Sequence, residues 1–198
     1  DFLYPAIGIH PENINDLNNI KKLDELVKNN KIIAIGEIGL DYHYDFVPKE
    51  KQLIFFEKQL RFALEADLPV IVHDREAHGD TMRILFEYPD LRGVVHCFSG
   101  SPEMAQELLK RGWYLGFDGP IPYKNARRSP EVVEVTPLDR ILIETDCPYM
   151  TPVPYRGKRN FSGYVPLVVL RAAEIRRTDP EALSLSALEN GRSLFFSK

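Results

Sequence analysis

The sequence predicts an α/β fold in which parallel strands are linked by helical crossovers. Three observations carry this expectation. Six short apolar runs alternate with segments of helical periodicity. Four of those runs end abruptly in an imidazole or a carboxylate. Residues 32–35 lead into Gly36 and Glu37, and residues 70–72 into His73, Asp74 and Arg75. Residues 93–95 lead into His96, and residues 141–143 into Glu144, Thr145 and Asp146. The longest loops, 36–47, 119–128 and 147–162, all follow strands, which is where barrel enzymes place their chemistry.

Each element has its own local signal. Residues 6–9 read as a short strand, and Pro11 with the Asn and Asp residues after it marks a loop. A helix is predicted over about 17–28, with Ile20, Leu23, Leu26 and Val27 on one face and Asn29 and Asn30 ending it. Residues 31–35 form the next strand, and residues 36–43 a loop. Pro48 suits the first turn of a helix whose stripe is Leu53, Phe56, Leu60 and Ala63. Pro69 resets the chain into the His73 strand, and a helix follows over 80–88. Gly93 opens the His96 strand, and Ser101-Pro102-Glu103 opens a helix ending near Gly112. A strand over 113–117 ends in Asp118, a short helix covers 131–135, and the last strand covers 140–144. Helices over 164–176 and 180–196 close the chain.

Composition narrows the class. A length of 198 residues favours one domain over 1–198 with a sizeable core. The 25 Lys and Arg against 29 Asp and Glu argue against a generally basic nucleic-acid binder and leave room for a local basic patch. Cys97 and Cys147 have no paired spacing, which argues against a disulfide scaffold and for a reducing compartment, the cytoplasm. No apolar run approaches the ~20 residues of a membrane span. The opening residues do not resemble a signal peptide, and a start without Met suggests an internal segment.

Glu37, His73, His96 and Asp146 are the candidate metal ligands, each expected at the end of its own strand. A lone His there is usually a hydrogen-bonded structural residue; four ligand types at matching positions point to a metal. Imidazole with carboxylate suits Zn, Mn, Fe or Co better than Mg. A carboxylate such as Glu37 can bridge two ions, and a pair about 3.5–4 Å apart can hold the attacking and leaving oxygens of a phosphoester. Asp146 can ligate and also take a proton. His10 precedes Pro11 and either caps the loop or lines the site. His78 is five residues from His73, the wrong spacing for a helical zinc pair, and reads as a surface residue. Cys97 and Cys147 each follow a proposed ligand by one residue, so in a strand they face away and pack.

Several stretches together resemble the TatD family of metal-dependent deoxyribonucleases. They are residues 8–11 (GIHP), 36–41 (GEIGLD), 69–75 (PVIVHDR), 95–100 (VHCFSG), 137–148 (PLDRILIETDCP) and 154–160 (PYRGKRN). The resemblance covers essentially the whole chain. It implies a TIM-type (β/α) barrel and hydrolysis of phosphodiester bonds in DNA by metal-activated water, as an exonuclease. It implies that Glu37 is the bridging carboxylate, His73 and His96 ligands of a second ion, and Asp146 a ligand of the first ion that also activates water. The metals it implies are one or two Mg, Mn or Zn ions. The family opens with a His-x-His strand, and no such pair occurs here. The chain therefore looks as if it lacks the first two βα units, and the open strand edges lead to an expectation of either a homodimer or loops that cover the edges.

Substrate contacts follow from the same loops. Arg75 lies two residues beyond His73 and shares its strand face if the strand continues; it either clamps a phosphate or forms a structural salt bridge. Arg156, Lys158 and Arg159 cluster after the last strand and are assigned to the DNA backbone, single-stranded DNA being favoured. Lys124, Arg127 and Arg128 add charge in another loop. Phe98, Tyr123 and Tyr155 either stack on bases or pack locally. Two rival readings stand beside the nuclease: a hydrolase of amides, lactones or small phosphoesters on the same scaffold, and an inactive chain that binds nucleic acid or a partner.

Overall fold

A computed structural model describes residues 3–14, 19–29, 31–121, 123 and 128–196, and the chain divides into two compact units. The first is Asp1–Val95 with Leu194–Lys198; the second is His96–Ser193. The six strands found among the described residues are the six that the sequence predicts.

In the first unit, strands β1 (Ala6–Ile7), β2 (Ala34–Asp41), β3 (Val70–Arg75) and β4 (Gly93–Val95) lie side by side in chain order, every pair parallel. Helix α1 (Asn19–Asn29) separates β1 from β2, α2 (Lys49–Glu65) separates β2 from β3, and α3 (His78–Phe86) separates β3 from β4. A parallel pair needs such a crossover, since a tight turn can only reverse the chain.

The residues of α2 contain no Gly or Pro, and Pro48 stands at its N-cap. Asp67, in the left-handed region at φ 51°, stops the helix from continuing. Its buried face is Phe55, Phe56, Leu60 and Ala63, with Gln52 and Gln59 among them. The predicted stripe is thus rotated slightly, with Leu53 only half-buried. Burying each large apolar side chain contributes about 1.5–3 kcal/mol. In α1, Leu23 is buried but Leu26 is exposed, and residues 17 and 18 of the predicted helix lie outside the described residues.

The main departure from expectation is β2. It does not end at Ile35 but runs on to Asp41 through the glycines read as a loop. Register slips between Gly36 and Ile38, so Glu37 is the extra residue of a bulge. That is why Glu37 is exposed between buried neighbours. Gly39 allows the passage past β3. At φ 147° it adopts a backbone few side chains tolerate, and a Cβ there would lie 1.9 Å from the His73 carbonyl oxygen.

The second unit contains α4 (Pro102–Lys110), β5 (Tyr114–Phe117), α5 (Arg128–Val135), β6 (Ile141–Ile143), α6 (Val165–Arg176) and, up to Ser193, α7 (Pro180–Phe196). Strands β5 and β6 are parallel, with Leu115 opposite Ile141 and Phe117 opposite Ile143. Ser101 caps α4 by accepting from the Met104 N–H at 3.3 Å, with Pro102 in the first turn. Arg176 of α6 donates to the carbonyls of Val133 (2.7 Å), Glu134 (3.2 Å) and Thr136, satisfying the open end of α5. Asn190 of α7 donates to the carbonyls of Leu138 and Ile141, both at 2.8 Å. Among the described residues no helix is long and apolar enough to cross a membrane.

Candidate metal centre

In the first unit the structure gathers His10, Glu37 and His73, whose ligand atoms all lie within 4.8 Å of one another. Each arrives by a different local device. His10 follows β1 and caps the 3-10 turn Pro11–Asn13. Glu37 is turned out by its bulge. His73 lies in β3, where burial alternates strictly, so it shares a face with Ile71 and Arg75. The His10 and His73 rings meet edge to face at 4.5 Å.

Asp41, at the end of β2, orients His73. Its Oδ2 lies 3.0 Å from His73 Nε2, and its Oδ1 accepts from the His43 N–H at 2.9 Å. Burial alone would push this carboxyl up; the His73 bond, the His43 N–H and the Arg75 charge outweigh burial and hold it below the ordinary carboxylate range. An ionised Asp41 can only accept, so His73 Nε2 is the donor, and in a neutral ring Nδ1 is the atom that could ligate.

Two buried glutamines, which the sequence reading missed, fix these segments. Gln59 Oε1 accepts from the Ile9 N–H at 2.7 Å while its Nε2 donates to the Ile9 carbonyl at 3.1 Å. Gln52 treats Asp41 in the same way, both bonds at 2.8 Å, and also donates to the Val47 carbonyl. Each side chain completes the hydrogen bonding of one backbone residue, next to His10 in one case and at Asp41 in the other. Their seven-residue spacing puts both on one helix face, but nothing local in the sequence marks a glutamine as buried.

The donor set fits a divalent ion. His10 Nε2 and Glu37 Oε2 lie 4.0 Å apart, beyond hydrogen-bond reach and within the span of two ligands each about 2.0–2.2 Å from one ion. Two imidazoles and a carboxylate suit Zn or Mn. His10 Nδ1 accepts a long 3.3 Å contact from the Glu12 N–H. Ligation through Nε2 would place the ring proton on Nδ1 and give up that contact.

The second unit holds His96 and Asp146. His96 is buried, with Nδ1 3.8 Å from Glu144 Oε1, and that oxygen accepts from the Cys97 N–H at 2.6 Å. Asp146 is half-buried, and its carbonyl accepts from the Tyr149 N–H at 2.7 Å. Asp118, after β5, is buried, and its Oδ2 has no hydrogen-bond partner among the described residues. Burial, then the Glu144 and Asp146 charges, push Asp118 up to about 7. Burial, then the Asp118 and Glu144 charges, raise the Cys97 thiol above its ordinary value, which disfavours a thiolate at neutral pH. Cys97 lies beyond the end of β4 at φ 43°, in a turn and not in the strand alternation expected for it.

Other predicted residues fall as follows. β3 does continue to Arg75, whose guanidinium lies 4.9 Å from the Tyr44 ring centroid. His78 opens α3 half-buried, with Nδ1 2.8 Å from the buried Asp74. Phe98 is buried, which removes it as a base-stacking candidate. Tyr123 donates its hydroxyl to the Thr151 carbonyl at 2.9 Å and lies under Arg156. Arg156, Lys158 and Arg159 are exposed; Lys124 and Arg127 lie outside the described residues.

A parallel α/β chain with this donor set belongs among the metal-dependent hydrolases of TIM-barrel type. The family described as TatD related DNase matches residues 1–196, and the chain belongs to it. The chain is 44% identical to the uncharacterized metal-dependent hydrolase YabD of Bacillus subtilis (strain 168), over 98% of this chain and 78% of that protein. It is 34% identical to the 3'-5' ssDNA/RNA exonuclease TatD of Erwinia billingiae (strain Eb661), over 98% of this chain and 78% of that protein. It superposes on the crystal structure of YJJV, the TatD homologue of Escherichia coli K12, with a TM-score of 0.91 at 32% identity, covering 99% of this chain and 78% of that one.

Proposed function

We propose that this metal-dependent hydrolase cleaves phosphodiester bonds of DNA, as an exonuclease acting on single strands. The observation that carries the reading is the His10, Glu37 and His73 cluster on a TatD-family chain. The exonuclease name of the Erwinia billingiae relative supports the substrate. A divalent ion, Mg, Mn or Zn, supplies polarisation of the phosphoryl oxygen and of water when bound.

The chain's own residues do the rest. His10, Glu37 and His73 would hold an ion in the first unit, Glu37 being the carboxylate that could serve a second ion as well. Asp41 keeps His73 in the tautomer that ligation needs. His96 and Asp146 would serve as ligands in the second unit, and an Asp146 carboxylate oxygen would accept the proton released by the attacking water. Arg75, Arg156, Lys158 and Arg159 hold backbone phosphates. The two free cysteines suit a reducing compartment, the cytoplasm.

The test is nucleotide release from single-stranded DNA by this chain, in EDTA and then with Mg, Mn or Zn. Turnover should require metal and fall about 10²–10⁴-fold in Asp146→Asn, as for loss of a proton acceptor, with a comparable fall in Glu37→Ala. Metal-dependent cleavage of a small ester or lactone with none of DNA would overturn the reading. So would binding of DNA without turnover in every metal.

A further inference from the structure

The loop from Cys147 to Tyr164 differs in chemistry from the rest of the chain. It carries Arg156, Lys158 and Arg159 and no Asp or Glu, in a protein of net charge -4. Among the described residues none of these three cations has an acidic partner. The loop also carries Tyr149, Tyr155, Phe161 and Tyr164. The Tyr155 and Tyr164 rings stack at 4.7 Å and 14°, and Phe161 leans on Tyr164 at 4.3 Å. Lys158 Nζ sits 5.5 Å from the Tyr155 centroid.

Polar bonds, not the rings, hold the loop in shape. Asn160, 2% exposed, donates to the Tyr149 carbonyl at 2.6 Å, and its own N–H reaches the Pro148 carbonyl at 3.0 Å. The Thr151 hydroxyl donates to the Lys158 carbonyl. With the backbone fixed this way, the rings remain open to solvent, Phe161 at 52% and Tyr155 at 37%. Gly163 makes room for this arrangement: a Cβ there would lie 2.2 Å from Phe161 Cε2. Phe161 and Tyr155 therefore keep part of their surface open beside cations that have no acidic partner among the described residues.

A single strand offers flat bases and phosphates in alternation, and a ring-and-cation surface takes both. A duplex hides its bases and offers only phosphates. We infer that Phe161 and Tyr155 form a stacking subsite for an unpaired nucleobase of a single-stranded nucleic acid, with Arg156, Lys158 and Arg159 on the flanking phosphates. This rests on the nuclease reading and specifies where that reading places the bases.

The experiment uses the full chain in EDTA at low salt, with two fluorescent probes, a short oligothymidylate and an abasic strand of the same length. Metal-dependent nucleotide release is measured on the same preparation. The wild type should bind the base-bearing strand about tenfold more tightly than the abasic one. Phe161→Leu and Gly163→Ala should bring that ratio toward unity and leave abasic binding unchanged, because phosphate contacts persist. Replacing Arg156, Lys158 and Arg159 with Gln should weaken both probes and flatten the salt dependence. Equal binding of the two probes by the wild type, or no binding of either beside intact nucleotide release, overturns the subsite alone. A Phe161→Leu chain that loses both probes equally also overturns it, since the ring would then serve only the loop's structure. No binding and no release in any metal overturns the nuclease reading, and the subsite with it.

Discussion

The first unit gathers imidazoles around its carboxylates, whereas the second gathers carboxylates around one imidazole. Asp41 is buried, yet the His73 ring and the His43 N–H hold it ionised below the ordinary range. Asp118 is more deeply enclosed and also faces Glu144 and Asp146, and it is pushed up to about 7. Burial raises both carboxyls, more strongly at Asp118; at Asp41 the hydrogen bonds and positive neighbours outweigh it, and at Asp118 the neighbouring carboxylates add to it. Strand ends of one fold can therefore present opposite electrostatics, and each can be probed separately.

The largest effect expected is on stability against pH. Asp118 binds its proton more tightly when folded than when unfolded, where its value is near 3.8. The folded chain then holds the extra proton between about pH 4 and 7, and stability falls as pH rises through that window. The full cost above it is about 4 kcal/mol. Asp41 has the opposite slope: its contribution is present above the ordinary value of 3.8 and is lost as pH falls through its lower folded value. Urea unfolding in EDTA across this range should show Asp118→Asn flattening the loss above pH 4 while leaving the acid limb. If Asp118→Asn leaves the profile unchanged, the contrast between the two clusters does not exist.

A smaller effect sharpens the imidazole side. Asp41→Asn removes the negative charge that orients His73, and metal affinity should weaken about 10–100-fold. Titration calorimetry with Zn or Mn measures this directly. An unchanged affinity would mean that His73 is not a ligand or that Asp41 does not position it.

The smallest effect concerns the scaffold. Gln59→Leu leaves the Ile9 N–H and carbonyl without their partner, and Gln52→Leu does the same at Asp41. Each should cost about 1–3 kcal/mol in urea unfolding. A loss well below this range would show that water or a neighbour takes over the bonds, and that the glutamines do not hold the first unit's strand ends.

The sequence by itself determined the element order. Apolar runs such as residues 70–72 and 141–143, punctuated by Pro69, Gly93 and Pro102, are local signals, and each marks a strand or helix that the structure contains. It also singled out Glu37, His73, His96 and Asp146 as candidates, because a polar ligand type placed against a buried strand is visible without coordinates; the structure brings Glu37 and His73 together with His10. The motifs that carry the family resemblance are local strings as well, and the family match over 1–196 agrees with them.

Only the tertiary structure decided how those residues are presented. Glycines at 36 and 39 read as a loop, since they lack strand propensity. The strand continues there because β3 supplies the pairing and needs the close approach that glycine allows. His10 joined Glu37 and His73 because parallel pairing puts the ends of β1, β2 and β3 side by side, a relation between residues far apart in sequence. Gln52 and Gln59 became structural, Phe98 became core, and the charge state of Asp118 emerged, all from burial and neighbours. Burial and neighbours are properties of the folded surface, and no window of sequence contains them.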